Sequence, residues 1–211
     1  MSYFTDVFIS LLIFLFSILL LFKKNRIFLI SISSYIFLLT VIESNYAGKI
    51  SREITIFTHA IRYFVPFALF INISPNIYSK HFREKIFYFL LTLGISLTFI
   101  FHGYKAMIAN PEYVDFIIIV FQKYIQLIIS ESKVEKILIL IGIIDIILGL
   151  VVFSKLKKFV LIYMAFWGLI TAFLRIVFYT NFYGISEFLI RSFHWIIPIF
   201  LLNLTIEKGK K

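Results

Sequence analysis

Apolar residues arrive along this chain in blocks, at 3–22, 27–43, 54–73, 86–104, 137–154, 159–179 and 188–206, with short charged clusters between them. Each block holds about 17 to 22 residues, enough at about 1.5 Å per residue to cross a hydrocarbon core of about 30 Å as an α-helix. The pattern predicts an all-α fold, a polytopic transmembrane helix bundle of about seven spans. An eighth apolar stretch, 113–129, carries Asp115, Gln122, Lys123 and Gln126, so it is expected to be re-entrant or interfacial.

The charged clusters set an orientation. Lys23, Lys24 and Arg26, then Lys80, Arg83 and Lys85, then Lys155, Lys157 and Lys158, then Lys208, Lys210 and Lys211 fall on one side if 113–129 does not cross. Lys49, Arg52, Lys105, Lys123, Lys133 and Lys136 fall on the other, diluted by acids. Cytoplasmic loops collect Lys and Arg, so the N-terminus is expected outside and the C-terminus in the cytoplasm.

Two blocks share a pattern. His59, Arg62 and Pro66 recur as Arg191, His194 and Pro198: a basic residue, another three later, and a proline four after that, with His and Arg exchanged. Asn45-Tyr46-Ala47-Gly48 with Glu53 precedes the first copy, and Asn181-Phe182-Tyr183-Gly184 with Glu187 the second, though aligning both parts needs a gap. The prediction is one membrane domain, 1–211, of parallel three-helix repeats at 3–73 and 137–206 around a central helix and re-entrant segment at 86–129. Basic residues and prolines also mark helix ends in general, which is the competing explanation.

Composition agrees with a lipid solvent: 61% of residues are hydrophobic and mean hydropathy is +0.99, above the usage of soluble domains. The net charge of +10 lies in loops between spans and forms no stripe on a soluble surface, so no nucleic-acid partner is expected. With no cysteine, disulfides, thiolate metal sites and dithiol chemistry are excluded. The apolar run after Met1–Asp6 is too long for a signal-peptide core, and it is expected to stay as the first span.

Candidate chemistry comes from ionisable residues where the bilayer makes them expensive. Residues at i, i+3 and i+7 share a face, so His59 and Arg62 project with Pro66, and Arg191 and His194 with Pro198. His102 and Arg175 fall at a similar depth, in a layer that suits a proton relay or a bound anion; snorkelling to the outer interface is the simpler alternative. Asp145 lies in mid-block, flanked by Gly142 and Gly149. An Asp there costs about 2.5–3.5 kcal/mol on insertion scales, which predicts a buried partner, and Arg175 is the expected one. That pair could serve packing or function. No metal site is expected, because no two histidines have ligand spacing on one helix, and no nucleophile elbow, phosphate loop or paired carboxylates identify catalytic residues.

Phe101-His102-Gly103-Tyr104-Lys105-Ala106, followed by Asn110-Pro111 and Asp115, then Ile141-Gly142-Ile143-Ile144-Asp145 and Trp167-Gly168-Leu169-Ile170-Thr171-Ala172-Phe173-Leu174-Arg175, make 99–176 similar to DoxX-like bacterial membrane proteins. The resemblance implies a small helical protein of the bacterial cytoplasmic membrane, in a family with some members associated with quinone-linked oxidoreductases. The extra N-terminal helices depart from that family. The three-one-three arrangement also looks like that of SWEET sugar transporters, without their proline signature. Three functions compete: a binding or accessory subunit, its partners the lipid bilayer and another membrane subunit, with an intramembrane pocket for a quinone, lipid or small anion; a proton-coupled or small-solute transporter; and a membrane enzyme, the least favoured. No cofactor other than a quinone is suggested.

Overall fold

Residues 25–46, 53–74, 78–179 and 182–208 are described by a computed structural model, and among them every regular element is helical. In chain order these are α1 (Arg26–Tyr46), α2 (Thr55–Thr58), α3 (Ala60–Asn72), α4 (Lys80–Met107), α5 (Pro111–Val120), α6 (Glu131–Val151), α7 (Lys157–Phe178), α8 (Phe182–Ile190) and α9 (Phe193–Lys208). The expected first span, 3–22, lies outside the described residues, as does part of each segment preceding the repeated motif.

Helices α1, α4 and α7, and the stretch Gly184–Glu207 that joins α8 to α9, are long and apolar enough to cross a membrane. The protein is therefore membrane-embedded. Helix α6 has 21 residues but opens with Glu131, Lys133, Glu135 and Lys136, and α3 has 13 residues. Helix α5 has ten, roughly 15 Å and so about half a hydrocarbon core, before its last turn widens into a π-helical turn at Phe121–Ile125.

Helix α4 sits at the centre, packed against α2, α3, α6 and α9. It is longer than the expected 86–104, because the Ser79 hydroxyl caps it by accepting from the Phe82 N–H at 3.4 Å and the charged turn after it stays helical. Small residues let neighbours come close. An added Cβ on Gly103 would lie 2.6 Å from the Gly142 carbonyl oxygen, and Ser96 donates to the Gly149 carbonyl at 2.6 Å, so α4 and α6 meet backbone to backbone. Below that contact Ile61, Leu91, Ile95, Leu161, Met164 and Leu201 close the apolar core.

Two expected spans are broken helices. Block 54–73 divides at His59, and block 188–206 at Arg191 and Ser192. A break at membrane depth needs partners for the backbone groups it frees. The Ile61 N–H, an orphan of the first turn of α3, donates to Thr98 of α4 at 3.1 Å. Pro66 and Pro198 lie inside α3 and α9 and lack the N–H that would bond the carbonyls of Arg62 and His194. Next to the first gap Ser33 donates to the Tyr63 carbonyl at 2.8 Å. At the second, Gly168 of α7 rests against the His194 carbonyl so closely that an added Cβ would stand 2.6 Å from its oxygen.

A candidate ligand-binding cavity

Helices α4, α5, α6, α7 and α9 surround a cavity of about 160 Å³. One buried water needs roughly 10–15 Å³ on this measure, so the space admits a small organic group. Each wall is a stripe at helical spacing: Thr98, His102 and Ala106 from α4; Tyr113, Phe116 and Ile117 from α5; Leu138, Ile141 and Asp145 from α6; Trp167, Thr171 and Arg175 from α7. Arg191, at the break before α9, and His194 complete it.

The polar lining is only partly satisfied. His102 Nδ1 lies 2.7 Å from the Tyr113 hydroxyl, and its ring meets that of His194 edge to face at 5.5 Å. The Nε2 atoms of both histidines are buried without a hydrogen-bond partner among the described residues, and so is Oδ1 of Asp145. Trp167 is the side chain that reaches the Asp145 carboxylate. A buried polar atom left unpaired costs about 1–3 kcal/mol. Three around one hollow are expensive unless something occupies it.

Asp145 does not pair with Arg175, contrary to the expectation from sequence. The Arg175 guanidinium stacks over Phe116 at 4.8 Å and lies 3.7 Å from a carboxylate oxygen of Glu112, both on α5. Depth explains the difference. Measured from the turn that joins α6 to α7, Asp145 is about 9 Å along its helix and Arg175 about 27 Å along its own, with Trp167 between. Both side chains are buried in the one cavity, at opposite ends.

At the end of the cavity away from the α6–α7 turn, His59, Arg62, His102, Arg191 and His194 lie within electrostatic range of one another. His59 lies 3.2 Å from Glu43 of α1, and Arg191 bonds Glu187 one turn back at 3.4 Å. Arg62 and Arg191 stand within electrostatic range of each other, and of His194. The sequence reading missed the acids of this layer, Glu43, Glu112 and Glu187, and the hydroxyl of Tyr113. Glu187 was legible as the i−4 neighbour of Arg191. Glu112 could have been found from the Asn110-Pro111-Glu112 helix start, where Asn110 accepts from the Glu112 N–H at 3.1 Å. Nothing local marks Tyr113.

Compared with known proteins, the chain matches no protein family, no curated protein and no solved structure.

Proposed function

We propose that this protein is a membrane-embedded binding subunit whose cavity holds the head of a quinone or quinol. The carrying observation is the set of three unpartnered polar atoms, His102 Nε2, His194 Nε2 and Asp145 Oδ1, facing one hollow walled by Phe99, Phe116, Ile117 and Leu174. A histidine N–H donates to a quinone carbonyl, and the carboxylate or a neutral imidazole nitrogen accepts from a quinol hydroxyl. The aromatic and aliphatic walls suit a flat, largely apolar ring.

The topology belongs to the same proposal: seven spans in the bacterial cytoplasmic membrane, N-terminus outside, C-terminus cytoplasmic, with α5 not crossing. Parallel duplication is supported by the two breaks, each at the first basic residue of the repeated motif, and by α1 and α7 each covering a proline kink. The DoxX-like resemblance is consistent with this reading and stands as part of the proposal. A small-solute transporter is the second reading, favoured by the two broken helices, since discontinuous helices commonly form transporter substrate sites.

The chain has two tryptophans, and Trp167 lines the cavity, so Trp195→Phe leaves a single reporter. Titration of that variant in lipid nanodiscs with a short-tailed quinone should give saturable quenching of Trp167, competed by unlabelled quinol. Linear, non-saturating quenching would remove the quinone reading, and counterflow of a solute in proteoliposomes would install the transporter in its place. Topology is testable because the chain has no native cysteine. Cysteine at Ile128 should react with an impermeant thiol reagent on intact cells, and cysteines at Tyr78 and Leu156 only after permeabilisation; the reverse pattern would overturn the orientation.

A further inference from the structure

Three arginines, Arg62, Arg191 and Arg175, act on one another near the end of the cavity that Arg191 lines. Of the charges that act on Arg62, Arg191 acts most strongly, ahead of Glu43 and Glu187. Of those that act on Arg191, Arg175 is strongest. Arg191 is therefore within electrostatic range of two other guanidinium groups, Arg62 of α3 and Arg175 of α7. The three are partnered differently. Arg175 has Glu112 and the Phe116 ring, and Arg191 has Glu187. Arg62 has no acid at ion-pairing distance among the described residues, since the nearby Glu43 is engaged by His59. Its Nε is buried without a hydrogen-bond partner.

An unpaired guanidinium beside a second guanidinium, in a membrane-embedded bundle, calls for an anion. The guanidinium fork presents parallel N–H donors that match the paired oxygens of a phosphate group, and two forks can share one such group. We propose that Arg62 and Arg191 together hold one phosphate-type oxyanion at the seam between α3 and the α8–α9 break. The site is distinct from the quinone cavity, with which it shares only Arg191. It joins the first half of the chain to the second, because Arg62 and Arg191 come from the two copies of the repeated motif. The phosphate is either free in the external medium or the headgroup of an anionic lipid lying against the outer ends of these helices.

The test is thermal unfolding of the full chain in phosphatidylcholine nanodiscs, with inorganic phosphate replacing chloride at constant ionic strength. A saturable rise in the unfolding midpoint is expected. Arg62→Gln and Arg191→Gln should each weaken the phosphate response at least about tenfold, the scale of one lost charged hydrogen bond. Arg62→Lys, which keeps the charge and loses the fork, should fall between, and it serves if a glutamine variant does not fold. Without phosphate, Arg62→Gln should unfold no earlier than the parent, because it removes a charge that has no partner. If a lipid headgroup is the source, nanodiscs containing phosphatidylglycerol will raise the parent midpoint without added phosphate, and Arg62→Gln will abolish the rise. No response to phosphate or to phosphatidylglycerol, or an equal response in Arg62→Gln and Arg62→Lys, overturns the proposal. His102→Phe should keep the phosphate response whether or not the cavity binds quinone, so the two readings fail separately.

Discussion

Valine at position 142 should prevent the bundle from assembling. A single Cβ on Gly142 would stand 2.8 Å from the backbone nitrogen of Met107 and 2.6 Å from its Cγ, and would collide with the carbonyl oxygen of Gly103. Two of those three obstacles are backbone of the central helix, which cannot rotate away. Overpacking that side chains can absorb costs about 1–3 kcal/mol. Here α4 and α6 must separate, and the Ser96 to Gly149 hydrogen bond about two turns deeper is strained with them. Against a total stability of about 5–15 kcal/mol, the expected result is loss of the monodisperse protein from detergent extracts, with Gly142→Ala intermediate. Gly103→Val should match it, and because the two glycines face each other the double variant should be little worse than either alone. Leu140→Ala, on the exposed side of α6, is the control and should behave as the parent. A Gly142→Val protein with the parent's yield and unfolding midpoint would refute the backbone contact.

Replacing His194 by phenylalanine should separate stability from binding. Its Nε2 is buried without a partner among the described residues, so an apolar ring of similar size should leave the ligand-free midpoint unchanged or raise it. Quinone affinity should nevertheless fall about tenfold for the one hydrogen bond lost. His102 needs more care, because its Nδ1 is already engaged with the Tyr113 hydroxyl. His102→Phe alone would strand that hydroxyl, whereas His102→Phe with Tyr113→Phe removes both members of the pair. That double variant, added to His194→Phe, should fold and bind roughly a hundredfold more weakly, if the two histidine contributions are independent. Fluorescence titration of Trp167 gives the affinity, and thermal unfolding of the same samples gives the stability. Unchanged affinity in the combined variant would sink the assignment of the two imidazoles to the ligand. A midpoint that falls in step with affinity would identify them as structural.

Much of the architecture was legible because lipid enforces a simple code. Block length and polarity predicted α1, α4, α7 and the α8–α9 stretch, and the Gly142–Asp145–Gly149 stripe announced a close helix neighbour. The breaks at His59 and at Arg191 were not legible. The sequence places a proline four residues after Arg62 and after His194, but where the helix opens depends on which neighbour can take the freed N–H, and Thr98 belongs to another helix. The pairing of charges failed for a related reason. Asp145 and Arg175 were matched by sign and by burial, whereas the axial offset of α6 and α7 put Trp167 beside the carboxylate and left Glu112 for the arginine.

The sequence alone therefore determined that the protein lives in a membrane, roughly where its helices run, and which ionisable residues must be hidden from lipid. Those follow from transfer energies, which each residue carries with it regardless of its neighbours. Only the tertiary structure decided who hides them: Tyr113 on His102, Glu43 on His59, Glu112 on Arg175, and, among the described residues, nothing on the Nε of Arg62 or the Nε2 of His194. Partnership is set by the depth and rotation of whole helices, which the close packing of α4 on its glycine-lined neighbours fixes over long sequence separations.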